Sequence, residues 1–147
     1  MSKNYHALIP GYVFMGGAND VQSIVDNEGV KVVVDLREEA EQCAAVGEGL
    51  KWIKVPLGDE ASEPQEQLLQ TAIEAVTAAY KNGEKVAFHC GGGKGRTGTV
   101  AYGTLLELGL AGTIEDAEQQ AQRIRSILNI KPAQRKSLED LYNSNNS

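Results

Sequence analysis

The stretch Lys85 to Gly109, KVAFHCGGGKGRTGTVAYGTLLELG, decides the fold. Lys85 to His89 is a short apolar run of the kind that suits a strand buried on both faces of a sheet. Four glycines follow between Cys90 and Arg96, and from Gly98 an apolar helical stripe runs through Val100, Ala101, Leu105 and Leu106 to about residue 109. A buried strand turning through glycines straight into an apolar helix is an α/β element. In such sheets a ligand sits at the carboxyl ends of the strands. The loop His89-Cys90-Gly91-Gly92-Gly93-Lys94-Gly95-Arg96-Thr97-Gly98 lies at such an end.

The rest of the chain repeats the alternation. Tyr12 to Met15 reads as a strand ended by Gly16-Gly17, and only eleven residues precede it. Asn19 or Asp20 caps a short helix carrying Val21, Ile24 and Val25, closed by Gly29. Lys31 to Leu36 (KVVVDL) and Trp52 to Val55 are further strands. Between Ser62, a capping residue, and Gly83, the run Pro64 to Lys81 keeps a helical stripe through Leu68, Leu69, Ile73, Val76 and Tyr80. Helices are expected over 98–109, 113–127 and 132–142, the second capped by Thr113 with Asp116. These elements predict an α/β fold: a central, mostly parallel sheet flanked by helices on both faces, one domain over 1–147 with 143–147 frayed.

The glycine loop carries the chemistry. Its glycines allow positive φ and clear a path to the backbone, so successive N–H groups can form an anion nest at a helix N-terminus. Gly91, Gly92, Gly93, Lys94, Gly95 and Arg96 are the candidate phosphate-binding residues, with Arg96 offering a bidentate fork. Cys90 at the rim feels the N–H groups, the helix dipole and Arg96, all of which favour thiolate over thiol. A thiolate facing a phosphate cradle suits cleavage of phosphate esters. A nucleotide P-loop is excluded, because Lys94 is followed by Gly95 and Phe88 stands where the leading glycine belongs. An inert core cysteine would leave the arginine six positions later unexplained.

Composition narrows the setting. Charged residues make up 23% with net charge −6, which argues against a nucleic-acid binder with a broad basic face. No apolar run approaches the ~18 residues of a membrane span, and MSKNYHALIPGYVF lacks the apolar core of a secretion signal, so a cytoplasmic protein is expected. Two cysteines and two histidines cannot build a four-ligand zinc site without carboxylates, and no metal or other cofactor is expected. Cys43 sits in an acidic stretch (Glu38, Glu39, Glu41) read as helical, and sequence leaves open a disulfide with oxidised Cys90. Trp52 is expected to fill core space.

Cys90, five residues, Arg96 and then Thr97-Gly98, with His89 in front, resembles the signature of the cysteine-dependent protein tyrosine phosphatase superfamily. The small size, WIKVPLGD at 52–59, LIPGYVFMGG and VKVVVDLREE resemble its compact dual-specificity branch. The resemblance spans roughly Leu8 to Tyr142 and implies the following roles. Cys90 attacks phosphorus and forms a phosphocysteine. Arg96 holds the equatorial oxygens, and the Thr97 hydroxyl bonds the cysteine sulfur. His89 is a supporting residue that fixes the loop. The general acid, which lies about thirty residues upstream in the family, falls on Asp59, with Glu60 as its rival. Asp35 is at a strand end in a DLR context read as loop structure and is not assigned that role. Gln134, after Pro132, matches a glutamine that places the hydrolytic water in some members, although helix-start polarity explains it equally well.

The resemblance implies a phosphatase acting on phosphate monoesters in proteins, phosphotyrosine first and phosphoserine or phosphothreonine with it. The expected partner is a phosphorylated protein or small phosphate ester, with neither nucleic acid nor membrane involved and a monomer as the default. Lys94 resembles the loop lysine of tensin-type lipid phosphatases, which keeps a phosphoinositide or other small-molecule phosphatase as an alternative. Gly91 lacks the second basic residue those enzymes carry. Rivals of other classes are a non-catalytic phosphoprotein-binding module and a sulfurtransferase, against which Arg96-Thr97-Gly98 counts.

Overall fold

The computed structural model describes residues 4–58 and 65–142. Ser62, Pro64, Asp59, Glu60 and the tail 143–147 lie outside the described residues. In chain order the elements are β1 (His6–Ile9), β2 (Val13–Gly17), a 3-10 turn (Ala18–Asp20), α1 (Val21–Glu28), β3 (Val32–Arg37) and β4 (Lys51–Leu57). They continue with α2 (Glu66–Lys81), β5 (Val86–Cys90), α3 (Gly95–Glu107), α4 (Ile114–Ile124) and α5 (Pro132–Tyr142).

The five strands form one sheet in the order β1-β2-β5-β3-β4. β2, β3 and β4 run parallel to their neighbours within the group β2-β5-β3-β4, and only β1 is antiparallel. Strand side chains alternate between the faces. Phe14, Val33 and Ala87 point to the face covered by α1, where they pack with Val21 and Ile24. Met15, Val32, Val34 and Phe88 point to the other, where Leu69, Ile73 and Val76 of α2 and Val100, Ala101 and Tyr102 of α3 close a larger core. Helices therefore cover both faces, as the continuous apolar strands require.

Three differences from the sequence reading have local causes. β1 is the first strand, so a strand begins at His6 rather than after eleven residues. It is a four-residue edge strand, too short to show a period, that turns back on β2 through Pro10-Gly11. β2 continues through Gly16 and Gly17 instead of ending before them. A Cβ on Gly17 would lie 2.9 Å from the Gly91 carbonyl, so glycine is what lets this strand run alongside the loop. Residues 38–50 hold no helix. Side chains take up their backbone groups instead: Lys54 Nζ donates to Ala40 O, Arg37 to Gln42 O, and Gln22 both donates to Val46 O and accepts from Val46 N. Among the caps, Asp20 stands at the N-cap of α1 without a side-chain bond, and Gln65 holds that place in α2. Thr113 Oγ1 accepts from Asp116 N at 3.0 Å, and Gly29 closes α1.

Candidate active site

The carboxyl ends of β2, β5 and β3 are level, with Gly17 beside Cys90 and both Gly16 and Asp35 beside His89. β5 ends at Cys90, and the chain turns through Gly91 to Lys94 and enters α3 at Gly95. The helix starts three residues earlier than its apolar stripe, so Arg96 and Thr97 sit in its first turn with their backbone fixed. Of the loop glycines only Gly93 adopts positive φ, at 72°. The loop is pinned from outside: the Gly91 carbonyl accepts from Ala18 N at 3.0 Å, and the Lys94 carbonyl accepts from Asn129 N at 3.3 Å.

Cys90 is 3% exposed. Its sulfur receives the Gly93 N–H at 3.3 Å and the Thr97 hydroxyl at 3.1 Å. The same hydroxyl lies 3.3 Å from Gly16 O, so its one proton chooses between carbonyl and sulfur. Two donors therefore converge on this sulfur.

Arg96 is 5% exposed and reaches back across the sheet edge. Nη1 donates to Leu57 O at 3.0 Å and Leu36 O at 3.4 Å, anchoring the guanidinium to the ends of β4 and β3. Its two Nη atoms also grip the Glu39 carboxylate at 2.8 and 3.0 Å. Those bonds hold the Glu39 carboxyl down at about 2, against a smaller opposing effect of burial. Glu39 was not among the residues picked from sequence. It stands in an acidic run that reads as solvated, and its side chain is indeed 58% exposed.

His89 is fully buried, and its Nδ1 meets Cys90 O at 3.1 Å, a backbone contact of the kind expected of a supporting residue. Burial lowers its pKa and outweighs the Asp35 charge, so the ring is neutral and Nδ1 carries the proton. The 3.7 Å approach of Nε2 to Asp35 is then not an ion pair. Asp35 is not loop structure but a fully buried residue of β3. Burial pushes its carboxyl up, yet hydrogen bonds from Arg37 and Trp52 outweigh that and leave the pKa lowered. Arg37 grips it at 2.9 Å through Nε and Nη2, and Trp52 Nε1 donates at 2.9 Å. Trp52 is thus only half-buried, packing on the smaller core with its polar end turned to this carboxylate.

Lys94 is exposed at the start of α3. Gln134 accepts from Lys131 N at 2.8 Å and lines, with Leu57, Gly58, Gln65 and Ser137, a cleft beside Arg96. Asp59 lies outside the described residues; Gly58, which precedes it in sequence, lines that cleft. Cys43 is not brought to Cys90: it packs with the α1-side cluster, while Cys90 belongs to the opposite core. Cys90, Thr97, Arg96 and the loop glycines do come together: Gly93 and Thr97 contact the Cys90 sulfur, and the Arg96 guanidinium lies against Gly91.

Among solved structures the chain is similar to human DUSP28, with 19% identity, a TM-score of 0.84, and coverage of 100% of this chain and 98% of that one. PTPMT1 matches with 22% identity and a TM-score of 0.78 over 95% and 94% of the two chains. A human tyrosine phosphatase-like serine/threonine/tyrosine-interacting protein matches at 15% identity and 0.83 over 99% and 100%. These likenesses establish the fold. No curated protein sequence matches the chain. Residues 12–110, which carry β2 through α3 and the whole loop, match the model of a phosphatase family. The chain belongs to that family, described as Tc-R-P, polymorphic toxin system, DSP-PTPase phosphatase.

Proposed function

We propose that this protein hydrolyses phosphate monoesters on proteins in two steps through a phosphocysteine, with phosphotyrosine the foremost substrate and phosphoserine and phosphothreonine accepted. The observation that carries the reading is the sulfur of Cys90 held by Gly93 N–H and Thr97 Oγ1 at the foot of a loop walled by Arg96. In the first step Cys90 attacks phosphorus in line and the ester oxygen departs, taking a proton from Asp59. In the second, water attacks the phosphocysteine, Asp59 receives its proton, and phosphate and the cysteine sulfur are released. Arg96 and the loop N–H groups meet the charge on the equatorial oxygens, where electrostatic positioning supplies most of the rate. Gln134, beside Arg96 in the cleft, is suited to orient the water.

Lys94 supports a second reading, a phosphoinositide or other small-molecule phosphatase, and PTPMT1 has been solved with PI(5)P. The ionised Glu39 on Arg96 weighs against it, because a carboxylate beside the phosphate site repels further phosphates on the substrate. The family's description supports a role within a polymorphic toxin system. The test is phosphate release from an aryl phosphate in EDTA, for wild type and Cys90→Ser together. Activity in wild type that the variant lacks is expected. Silence in both would replace catalysis by a phosphoprotein-binding role.

A further inference from the structure

A second guanidinium is buried against the same loop. Arg125, just past α4, is 3% exposed. Its Nε donates to the Gly93 carbonyl at 2.9 Å. Gly93 is the residue whose N–H reaches the Cys90 sulfur, so one residue separates Arg125 from that sulfur. On its other side Nη1 donates to Asn4 O and meets His6 Nδ1 at 3.0 Å. The fit is close, since a Cβ built on Gly93 would lie 2.5 Å from Arg125 Nη2 and 2.7 Å from the Gly16 carbonyl carbon.

The electrostatics are unusual for a structural arginine. Among the described residues no carboxylate lies within ion-pairing distance of Arg125, and a buried cation without a paired anion is costly. Burial lowers the Arg125 pKa, and the Asp20 charge opposes this only in part. His6 serves as a neutral acceptor, its pKa lowered by burial and by the Arg125 charge. Arg125, Asn4 and His6 all fall outside residues 12–110, the part matched by the family model.

We propose that Arg125 is a positioning residue for the chemistry of Cys90. It clamps the Gly93 carbonyl so that the Gly93 N–H stays on the sulfur, and its charge stabilises the anionic sulfur and the phosphoryl group that sulfur receives. Asn4 and His6 brace the clamp, which gives the N-terminal strand a part in holding the loop. The assignment rests on the cysteine chemistry proposed above.

The test uses the full chain with Arg125→Met, Arg125→Lys and His6→Phe. Three quantities are read: aryl phosphate kinetics, the rate of Cys90 alkylation by iodoacetamide followed by mass spectrometry of its peptide, and the thermal melt. Arg125→Met is expected to lower kcat about 100-fold with KM held, and to slow alkylation well below the melting temperature. Lysine, which restores the charge but not the fork, recovers part of both. His6→Phe lowers both in the same direction by less. A folded Arg125→Met with wild-type kcat and alkylation overturns the proposal, because a merely structural arginine would shift only the melt. If that variant does not fold, unchanged kcat and alkylation in both Arg125→Lys and His6→Phe overturn it equally. Failure of the underlying phosphatase reading shows separately, as wild type without turnover, and alkylation still decides the role of Arg125.

Discussion

The glycines of the loop look interchangeable in sequence, and the structure says they are not. Gly93→Ala faces two costs. At φ 72° an alanine occupies the left-handed region, which is unfavourable by roughly 1–2 kcal/mol. Its Cβ would also stand 2.7 Å from the Gly16 carbonyl carbon and 2.8 Å from Gly17 N, both backbone atoms of β2, and 2.5 Å from Arg125 Nη2. Overpacking of this kind costs about 1–3 kcal/mol, because a strand paired on both sides has little room to retreat. Together they give a destabilisation of about 3 kcal/mol, which in a chain of this size lowers Tm by about 6–12 °C. The adjacent Gly92 is the control: a Cβ there meets nothing within 4 Å and φ is not positive, so Gly92→Ala leaves Tm within a few degrees of wild type. Thermal melts of the three proteins at one pH decide the matter. Equal melting of Gly93→Ala and wild type, or equal loss in both alanine variants, would refute the assignment of Gly93 as the one strained and crowded position.

Four further outcomes follow from the site. Arg96→Ala should lose both turnover and vanadate binding, whereas Cys90→Ser keeps vanadate binding, which equilibrium titration distinguishes. Asp59→Asn should slow alkyl phosphates more than activated aryl phosphates, whose leaving groups need little protonation; an equal loss on both removes Asp59 as the acid. Glu39→Gln should shift Tm by only a few degrees, since a half-exposed ion pair contributes at most about 1 kcal/mol, yet lower kcat/KM roughly tenfold as Arg96 loses its clasp. Stability should fall as pH drops below about 6.5. His6 and His89 have lowered pKa values when folded, so the unfolded chain binds more protons in the window between those values and 6.5, and protonation favours unfolding there. The Tm difference between pH 7.5 and about 5.5 should therefore shrink in His89→Gln, and a difference of wild-type size would count against a neutral buried His89.

What sequence shows and what it conceals divides along the chain's own connectivity. The strand, the glycines, Cys90, Arg96 and Thr97 are contiguous, so their chemistry fixes their spacing and the spacing can be read. The parallel core is legible for a related reason: strands buried on both faces are built of apolar runs, as Val32-Val33-Val34 and Val86-Ala87-Phe88 are. β1 escapes because four residues at a sheet edge, paired with a neighbour on one side only, need no such run. Glu39 and Arg125 escape because the sheet order and the end of α4 bring them to the loop from distant positions, and a lone charge in sequence reads as a solvated one. The places of Asp35 and Arg125 nevertheless left a signal. Asp35 interrupts a run that is otherwise wholly apolar, and a charge inside a buried strand must be paired, as Arg37 and Trp52 pair it. Arg125 continues the buried stripe of Ala117 and Ala121 at four-residue spacing, so its side chain was bound to enter the interior. A charged residue standing where the pattern demands an apolar one is the mark both share, and both end near Cys90: Asp35 is the strand partner of His89, and Arg125 donates to the Gly93 carbonyl.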